Sequence, residues 1–176
     1  MERSPIAIEH LTVKSYSFFE VDWLLLTCGD YSQRHYNAMT ISWGSLGVMW
    51  GRPFIQVVVR PHRYTYEFIE RYESFTVCAF PKEYHQALSL LGAKSGREMD
   101  KIAQAGLTPI PATCVAAPAY TEAGLVIECR KIYWQDLDPA HFLDPAIARN
   151  YPHKDYHRIY YGEILAVQGT EQYHQK

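Results

Sequence analysis

Apolar residues along this chain fall in short runs broken by glycine, proline and polar turns, a pattern of many strands with a few helical insertions. The segment Tyr16–Cys28, dense in Phe, Val, Trp and Leu, reads as a buried strand pair or one long strand. Gly29-Asp30-Tyr31-Ser32-Gln33 then supplies turn chemistry, and Asn37–Trp43 (NAMTISW) reads as a strand ending in polar residues. Gly44, Gly47 and Gly51 break up the next stretch, which reads as loop. Phe54–Arg60 is a short continuous apolar strand ended by Pro61. Tyr64, Phe68 and Tyr72 recur at a spacing of four and favour a helix.

Further along, Phe75–Phe80 is a strand stopped by Pro81, and Glu83–Leu91 is a helix with Gly92 as its stop. Ser95-Gly96-Arg97-Glu98 matches a capping box, predicting a third helix through Ala105 closed by Gly106. Past the proline-rich segment 109–118, Gly124–Trp134 is β-prone and Phe142–Tyr151 reads as irregular chain or a short helix. Arg158–Val167 is a last strand interrupted by Gly162. The strands do not alternate regularly with helices, so an antiparallel barrel with peripheral helices is expected rather than a doubly wound sheet. The 176 residues suit one domain with one real core, and no repeat, linker or low-complexity segment divides them.

Composition removes several classes of function. An apolar content of 48% against 20% charged residues argues against disorder. The net charge of −2 lacks the basic footprint of a nucleic-acid binder. No apolar run approaches the ~18 residues of a membrane span, and MERSPIAIEH lacks a hydrophobic signal core, so a cytoplasmic protein is expected. Cys28, Cys78, Cys114 and Cys129 are widely spaced without a CxxC, consistent with free thiols. The 14 tyrosines and 4 tryptophans suit a β-rich core, an aromatic-lined cleft or a subunit interface.

Two stretches carry the candidate chemistry. In NAMTISW, Asn37, Thr40 and Ser42 offer a polar edge, Met39 and Ile41 are expected to point the other way into the core, and Trp43 offers a wall. In Val59-Arg60-Pro61-His62-Arg63-Tyr64-Thr65, two arginines and a hydroxyl sit where a strand hands over to a helix, and free N–H groups at a helix start attract phosphate. Together they suggest a site for a flat, uncharged ring with an anionic tail, a description that FMN fits. An ordinary solvent-facing strand and a pair of surface arginines are the other reading. Gly92–Arg97 is a second basic, glycine-containing loop, but it lacks the GxxxxGK[ST] spacing of a nucleoside triphosphatase. His153 and His157 form an H-x3-H pair with no second ligand pair, so a metal is not expected. No GxSxG elbow is present.

NAMTISWGSLG, VRPHRYTYEFIE, LLGAKSGREMDKIAQAGLTPI and DYHRIYYGEI, in that order, resemble the flavin reductase-like (flavoredoxin-like) family, over roughly Trp23 to Val167. The resemblance implies an FMN-binding split β-barrel of antiparallel Greek-key type. It implies cofactor contacts from Asn37, Met39, Thr40, Ile41, Ser42 and Trp43 on the first stretch. Arg60, Arg63, Tyr64 and Thr65 would lie along the phosphate side, and Lys94, Ser95, Arg97 and Lys101 near the phosphate or ribityl chain. The family places an acidic residue and a histidine just before the last barrel strand, so His157 is the catalytic candidate. A homodimer with FMN near the subunit interface is implied, with NAD(P)H delivering hydride to the flavin N5. A flavoredoxin-like electron carrier serving a redox partner protein and a flavin- or ligand-binding module without turnover are the alternatives.

Overall fold

A computed structural model of the chain describes residues 2–175. In chain order the elements are β1 (Ser4–Pro5), α1 (Ser15–Glu20), β2 (Leu24–Asp30), β3 (His35–Ile41), β4 (Gly44–Met49), β5 (Arg52–Val59), α2 (Tyr64–Arg71), β6 (Ser74–Ala79), α3 (His85–Ala93), α4 (Lys101–Gln104), β7 (Pro109–Ile110), β8 (Ala119–Tyr120), β9 (Leu125–Asp136) and β10 (Arg158–Gly169). The main sheet is antiparallel in the order β3-β2-β6-β9-β10-β5-β4, with β1 added along β10. Its two end strands, β3 and β4, are separated in sequence only by Ser42 and Trp43. Three virtual bonds of about 3.8 Å cannot span an open seven-strand sheet. The sheet therefore curls until its ends meet, which is the mainly β barrel expected from the sequence.

Curling gives the strands an inside and an outside, and both are covered. Leu24, Leu26 and Cys28 of β2 join Ile55, Val57, Phe75, Val77, Ile127 and Tyr160 in the barrel interior. Leu25, on the opposite face of the same strand, packs with Cys78 and Val126 beneath Leu88 and Leu91 of α3. Burial on both faces explains why β2 is a continuous apolar run without alternation.

Four local expectations are corrected. Tyr16–Cys28 is not strand throughout, because α1 precedes β2 and buries the neighbouring rings of Phe18 and Phe19 edge-on at 5.4 Å. Six residues are too few for periodicity to separate a short helix from a buried strand. The glycine-rich stretch 44–51 is not loop but strand β4 and its turn. Met49 pairs with Arg52, so Trp50 and Gly51 form a two-residue hairpin turn with φ of 53° and 67°, the left-handed pair that a tight right-twisted hairpin needs. The helix expected over Glu83–Leu91 begins as a 3-10 turn at Lys82–Tyr84, and α3 carries Gly92 within it. Ser95 does not open a third helix. Its hydroxyl accepts from the Arg97 N–H at 3.2 Å, and the helix starts at Lys101, capped by the Asp100 carboxylate accepting from the Ala103 N–H at 3.1 Å. Two capping patterns overlap in this stretch, and the Asp100 cap is the one that opens the helix.

Leu88 ties α3 to the barrel, fully buried at 0% exposure. Leu88→Ala is expected to cost about 2–5 kcal/mol, read as a lower midpoint of chemical denaturation with an unchanged slope.

A basic cleft where the strand ends meet

Because β3 and β4 are brought together, the C-terminal end of β3 lies beside the exit of β5 and the start of α2. Three adjoining cavities line up there. A strand-end cavity of about 160 Å³ is lined by Met39–Trp43, Val58, Arg60 and His157. It shares Met39 with a basic cavity of about 280 Å³, lined by His62, Arg63, Tyr64, Thr65, Lys94, Ser95, Arg97 and Lys101 among others. Tyr64 and Lys101 also border a third, aromatic cavity of about 490 Å³ that includes His35, Tyr36, Asn37 and Phe68. All of the residues singled out from the sequence border this row of cavities. A larger cavity of about 760 Å³ lies elsewhere, between Thr12–Phe18 and the C-terminal segment, and holds none of them.

The basic cavity is built around two helix ends. At the start of α2, Arg63 is the N-cap in extended conformation and no side chain caps the helix. The Tyr66 N–H is satisfied by the Arg63 carbonyl, while those of Tyr64 and Thr65 belong to the first turn, which has no intrahelical acceptors. At the other side, the C-terminal carbonyls of α3 are held by two cations. Arg63 donates to the Gly92 carbonyl. Lys101 donates to the Leu91 and Lys94 carbonyls at 2.9 and 3.0 Å. Lys101 is buried, and that burial, with the Arg63 charge adding to it, pulls its ammonium down to about 8. Arg97 pairs with Glu67 and lies 4.7 Å over the Tyr64 ring, while its Nη1 donates to the His62 carbonyl at 3.3 Å. The cavity thus gathers Arg63 and Lys101, held by neutral carbonyls, with Arg97, which is paired to Glu67, and Glu98 also in its wall, a net basic arrangement suited to an anion.

Strand β3 needs one correction. Asn37 shares its side-chain parity with Met39 and Ile41, not with Thr40 and Ser42 as expected. Met39 and Ile41 enter the barrel core, and Asn37, further along the same face, donates through Nδ2 to the Thr65 hydroxyl at 2.7 Å. Thr40 faces the other way and donates to the Leu88 carbonyl of α3 at 2.5 Å. The alternation of strand side chains permits no other assignment.

At the strand-end cavity, Arg60 is held away from the basic cavity. Its guanidinium pairs with Asp155 at 2.9 Å, donates to the Asn150 carbonyl at 2.8 Å and lies 5.1 Å over the Tyr151 ring. His62 Nδ1 lies 3.0 Å from the same Asp155 oxygen, and these partners hold that carboxyl below its ordinary range, the Arg60 hydrogen bond foremost. His157 sits against Trp43, ring centroids 5.2 Å apart, with Nδ1 2.8 Å from the Tyr151 hydroxyl. Burial first, then the Arg60 charge, pushes the His157 imidazole down to about 4, so it is neutral at physiological pH. Sequence reasoning missed Tyr151 and Asp155, although the acidic residue two before His157 is the one signal that pointed to them. It also missed Gly96, whose missing side chain is required because a Cβ there would lie 2.2 Å from Asn37 Oδ1. Among the described residues, no group of three or more His, Cys, Asp or Glu is placed to hold a metal, and no helix is long and apolar enough to cross a membrane.

A curled antiparallel barrel with a basic cleft at its meeting ends defines a class, and the comparisons agree. The flavin reductase-like domain matches residues 19–176, and the chain belongs to that family. Flavoredoxin of Desulfovibrio vulgaris (Miyazaki F) is 25% identical, with a TM-score of 0.66 over 92% of this chain and 73% of its own. Two further structures show the same fold. One is an FMN-binding domain of a flavin reductase-like enzyme from Shewanella baltica OS155, at 17% identity and TM-score 0.69 over 99% of this chain and 83% of that one. The other is nitrilotriacetate monooxygenase component B from Bacillus cereus, at 17% identity and TM-score 0.68 over 97% and 83%. No curated protein sequence matches the chain significantly.

Gly96→Ala is expected to push the 95–98 turn off Asn37 and loosen the Asn37–Thr65 bond. The expected cost is about 1–3 kcal/mol in denaturant unfolding. Amide exchange should rise in 94–101 and at the start of α2, and not in β9 or β10.

Proposed function

We propose that this chain binds FMN in the row of cavities and acts as an NAD(P)H-dependent flavin reductase. The observation that carries the reading is the basic cavity, with its uncapped helix start, opening beside a strand-end cavity walled by Trp43. A flavin needs that combination, because its ring is flat and uncharged while its tail ends in phosphate. Arg63, Arg97 and the N–H groups of Tyr64 and Thr65 would hold the phosphate, with Lys94, Ser95 and Lys101 around it. The β3 end, from Met39 to Trp43, would border the ring. When bound, the flavin supplies the two-electron redox chemistry. The protein's share is to orient the ring, neutralise the tail, and present neutral His157 where a reductant would approach.

Oligomerisation belongs to the same proposal. Val48, Trp50 and Tyr133 are exposed on β4, its hairpin turn and β9, with Trp50 edge-on to Tyr133 at 5.8 Å and Tyr133 edge-on to Tyr161 at 5.6 Å. A second copy of the chain would cover this aromatic face, giving a homodimer. The flavoredoxin likeness favours a second reading, an electron carrier that serves a redox partner protein and does not react with nicotinamide.

The visible spectrum of the purified protein, with FMN added if it is colourless, tests the proposal, followed by anaerobic NADH and NADPH. A flavin band that bleaches rapidly with either nucleotide is the expected result. Bleaching only with dithionite would select the carrier, and failure to bind FMN would overturn both.

Two predictions follow from the tail assignment. Arg63→Ala and Arg97→Ala are each expected to weaken FMN about tenfold or more while changing riboflavin about twofold or less, since only FMN carries the phosphate. Equal losses would remove both arginines from that role. Lys101, at about 8, is half protonated near that pH, and an anion beside it raises its proton affinity. FMN binding at pH 8 should therefore take up protons, and at pH about 6 it should not, because the ammonium is already formed in both states. Calorimetry in two buffers of different ionisation enthalpy reads the uptake. Its absence at pH 8 would place Lys101 beyond reach of the phosphate.

A further inference from the structure

Between β9 and β10 the chain leaves the sheet for residues 138–157, an excursion closed at its base by the Leu137 N–H donating to the His157 carbonyl at 3.0 Å. Most of this loop is exposed, and Tyr151 and His157 are its two buried residues. Arg60 pins the loop at three points: the Asn150 carbonyl, the Tyr151 ring and the Asp155 carboxylate. The loop is thereby anchored over the strand-end cavity, which His157 lines together with Trp43.

The Tyr151–His157 bond has a preferred direction. An imidazole nitrogen is a better acceptor than a phenol oxygen, so the Tyr151 O–H donates and Nδ1 accepts. The Arg60 guanidinium over the phenol ring withdraws electron density and strengthens that donor. A neutral imidazole that accepts at Nδ1 carries its proton on Nε2. Among the described residues no group bonds Nε2, and His157 lines the strand-end cavity. Protonation of the ring would end its acceptance from the Tyr151 O–H and place a positive charge among Arg60, His62 and Arg63. Asp155, the counter-charge nearby, is engaged through Oδ2 by Arg60 and His62, while its Oδ1 is buried without a hydrogen-bond partner among the described residues.

We propose that Tyr151 is a positioning residue that holds His157 as a neutral Nε2–H donor at the strand-end cavity, where it hydrogen-bonds a conjugated carbonyl oxygen of the bound ligand. The inference rests on reading the cleft as a flavin and nicotinamide site. Both the flavin ring and the nicotinamide carboxamide carry such an oxygen, so the chemistry is shared and the test separates the two sources. His157 serves here in recognition and does not exchange a proton with the ligand.

Imidazole ¹⁵N spectra of the full chain, without any ligand, read the tautomer directly. The wild type is expected to show the Nε2–H form alone from pH about 5.5 to about 8. Tyr151→Phe is expected to give mixed tautomers and a slightly raised His157 titration, while burial and the Arg60 charge still hold it below the ordinary value of about 6.5. In the FMN-loaded protein, Tyr151→Phe and His157→Ala are expected to slow reduction by NAD(P)H about tenfold at saturating flavin. His157→Gln, which keeps an N–H donor, should recover most of what His157→Ala loses. A loss confined to the KM for NAD(P)H assigns the carbonyl to the nicotinamide, and a loss in FMN affinity assigns it to the flavin. An Nδ1–H tautomer in the wild type overturns the proposal, as does an unchanged tautomer and rate in Tyr151→Phe. A wild type that binds no flavin defeats the flavin reading while leaving the tautomer result to stand or fall alone.

Discussion

The two-residue joint Ser42-Trp43 constrains everything else in this structure. It links the two ends of a seven-strand antiparallel path, and so forces the sheet to close on itself. Closure creates an interior for one set of side chains and an outer face that α3 and the β7–β8 hairpin cover with a second set. It also brings the end of β3, the exit of β5 and the start of α2 into one neighbourhood. The cleft is a consequence of closing the barrel, and its walls are the ends of elements whose middles are core.

The cations in the cleft carry two loads. Arg63 and Lys101 satisfy the carbonyls at the C-terminal end of α3, where helix geometry leaves acceptors without intrahelical partners. They also border the basic cavity. Neutral carbonyls fix the positions of these two charges without neutralising them. Arg60 is used differently. Although it exits β5 only three residues before Arg63, its charge is balanced by Asp155 and its reach is spent on the 138–157 loop. The contrast shows why a pair of arginines close in sequence cannot be assumed to share a ligand.

A flavoredoxin and a monooxygenase component share this barrel, so the fold alone does not fix the use made of it. In this chain the strand-end cavity is bordered by His157 of the 138–157 loop, which is held by Arg60 and by its own two buried side chains. On the proposed reading, the barrel would hold the ring and the loop would present His157 to whatever approaches it.

The barrel class was legible in the sequence because strand length, apolar runs and turn residues are local properties, and most strands lie where those signals put them. Arg63, Thr65 and the Lys94–Arg97 loop were legible as candidates for an anion site for the same reason, since basic residues beside a helix start can be seen in one dimension. Where local signals were ambiguous or overlapped, tertiary contacts decided. The same apolar density served α1 and β2, the glycines of 44–51 served a strand and a tight turn, and Ser95 lost its helix to Asp100. The Asn37 orientation was a matter of parity already present in the strand. The roles of Arg60, Tyr151 and Asp155 depend on contacts spanning about ninety residues of chain, and no local pattern encodes them. Sequence by itself determined which segments could be strands and which residues could hold an anion. Only closure of the barrel decided which of them face one another, because proximity in a closed sheet is set by strand order and not by distance along the chain.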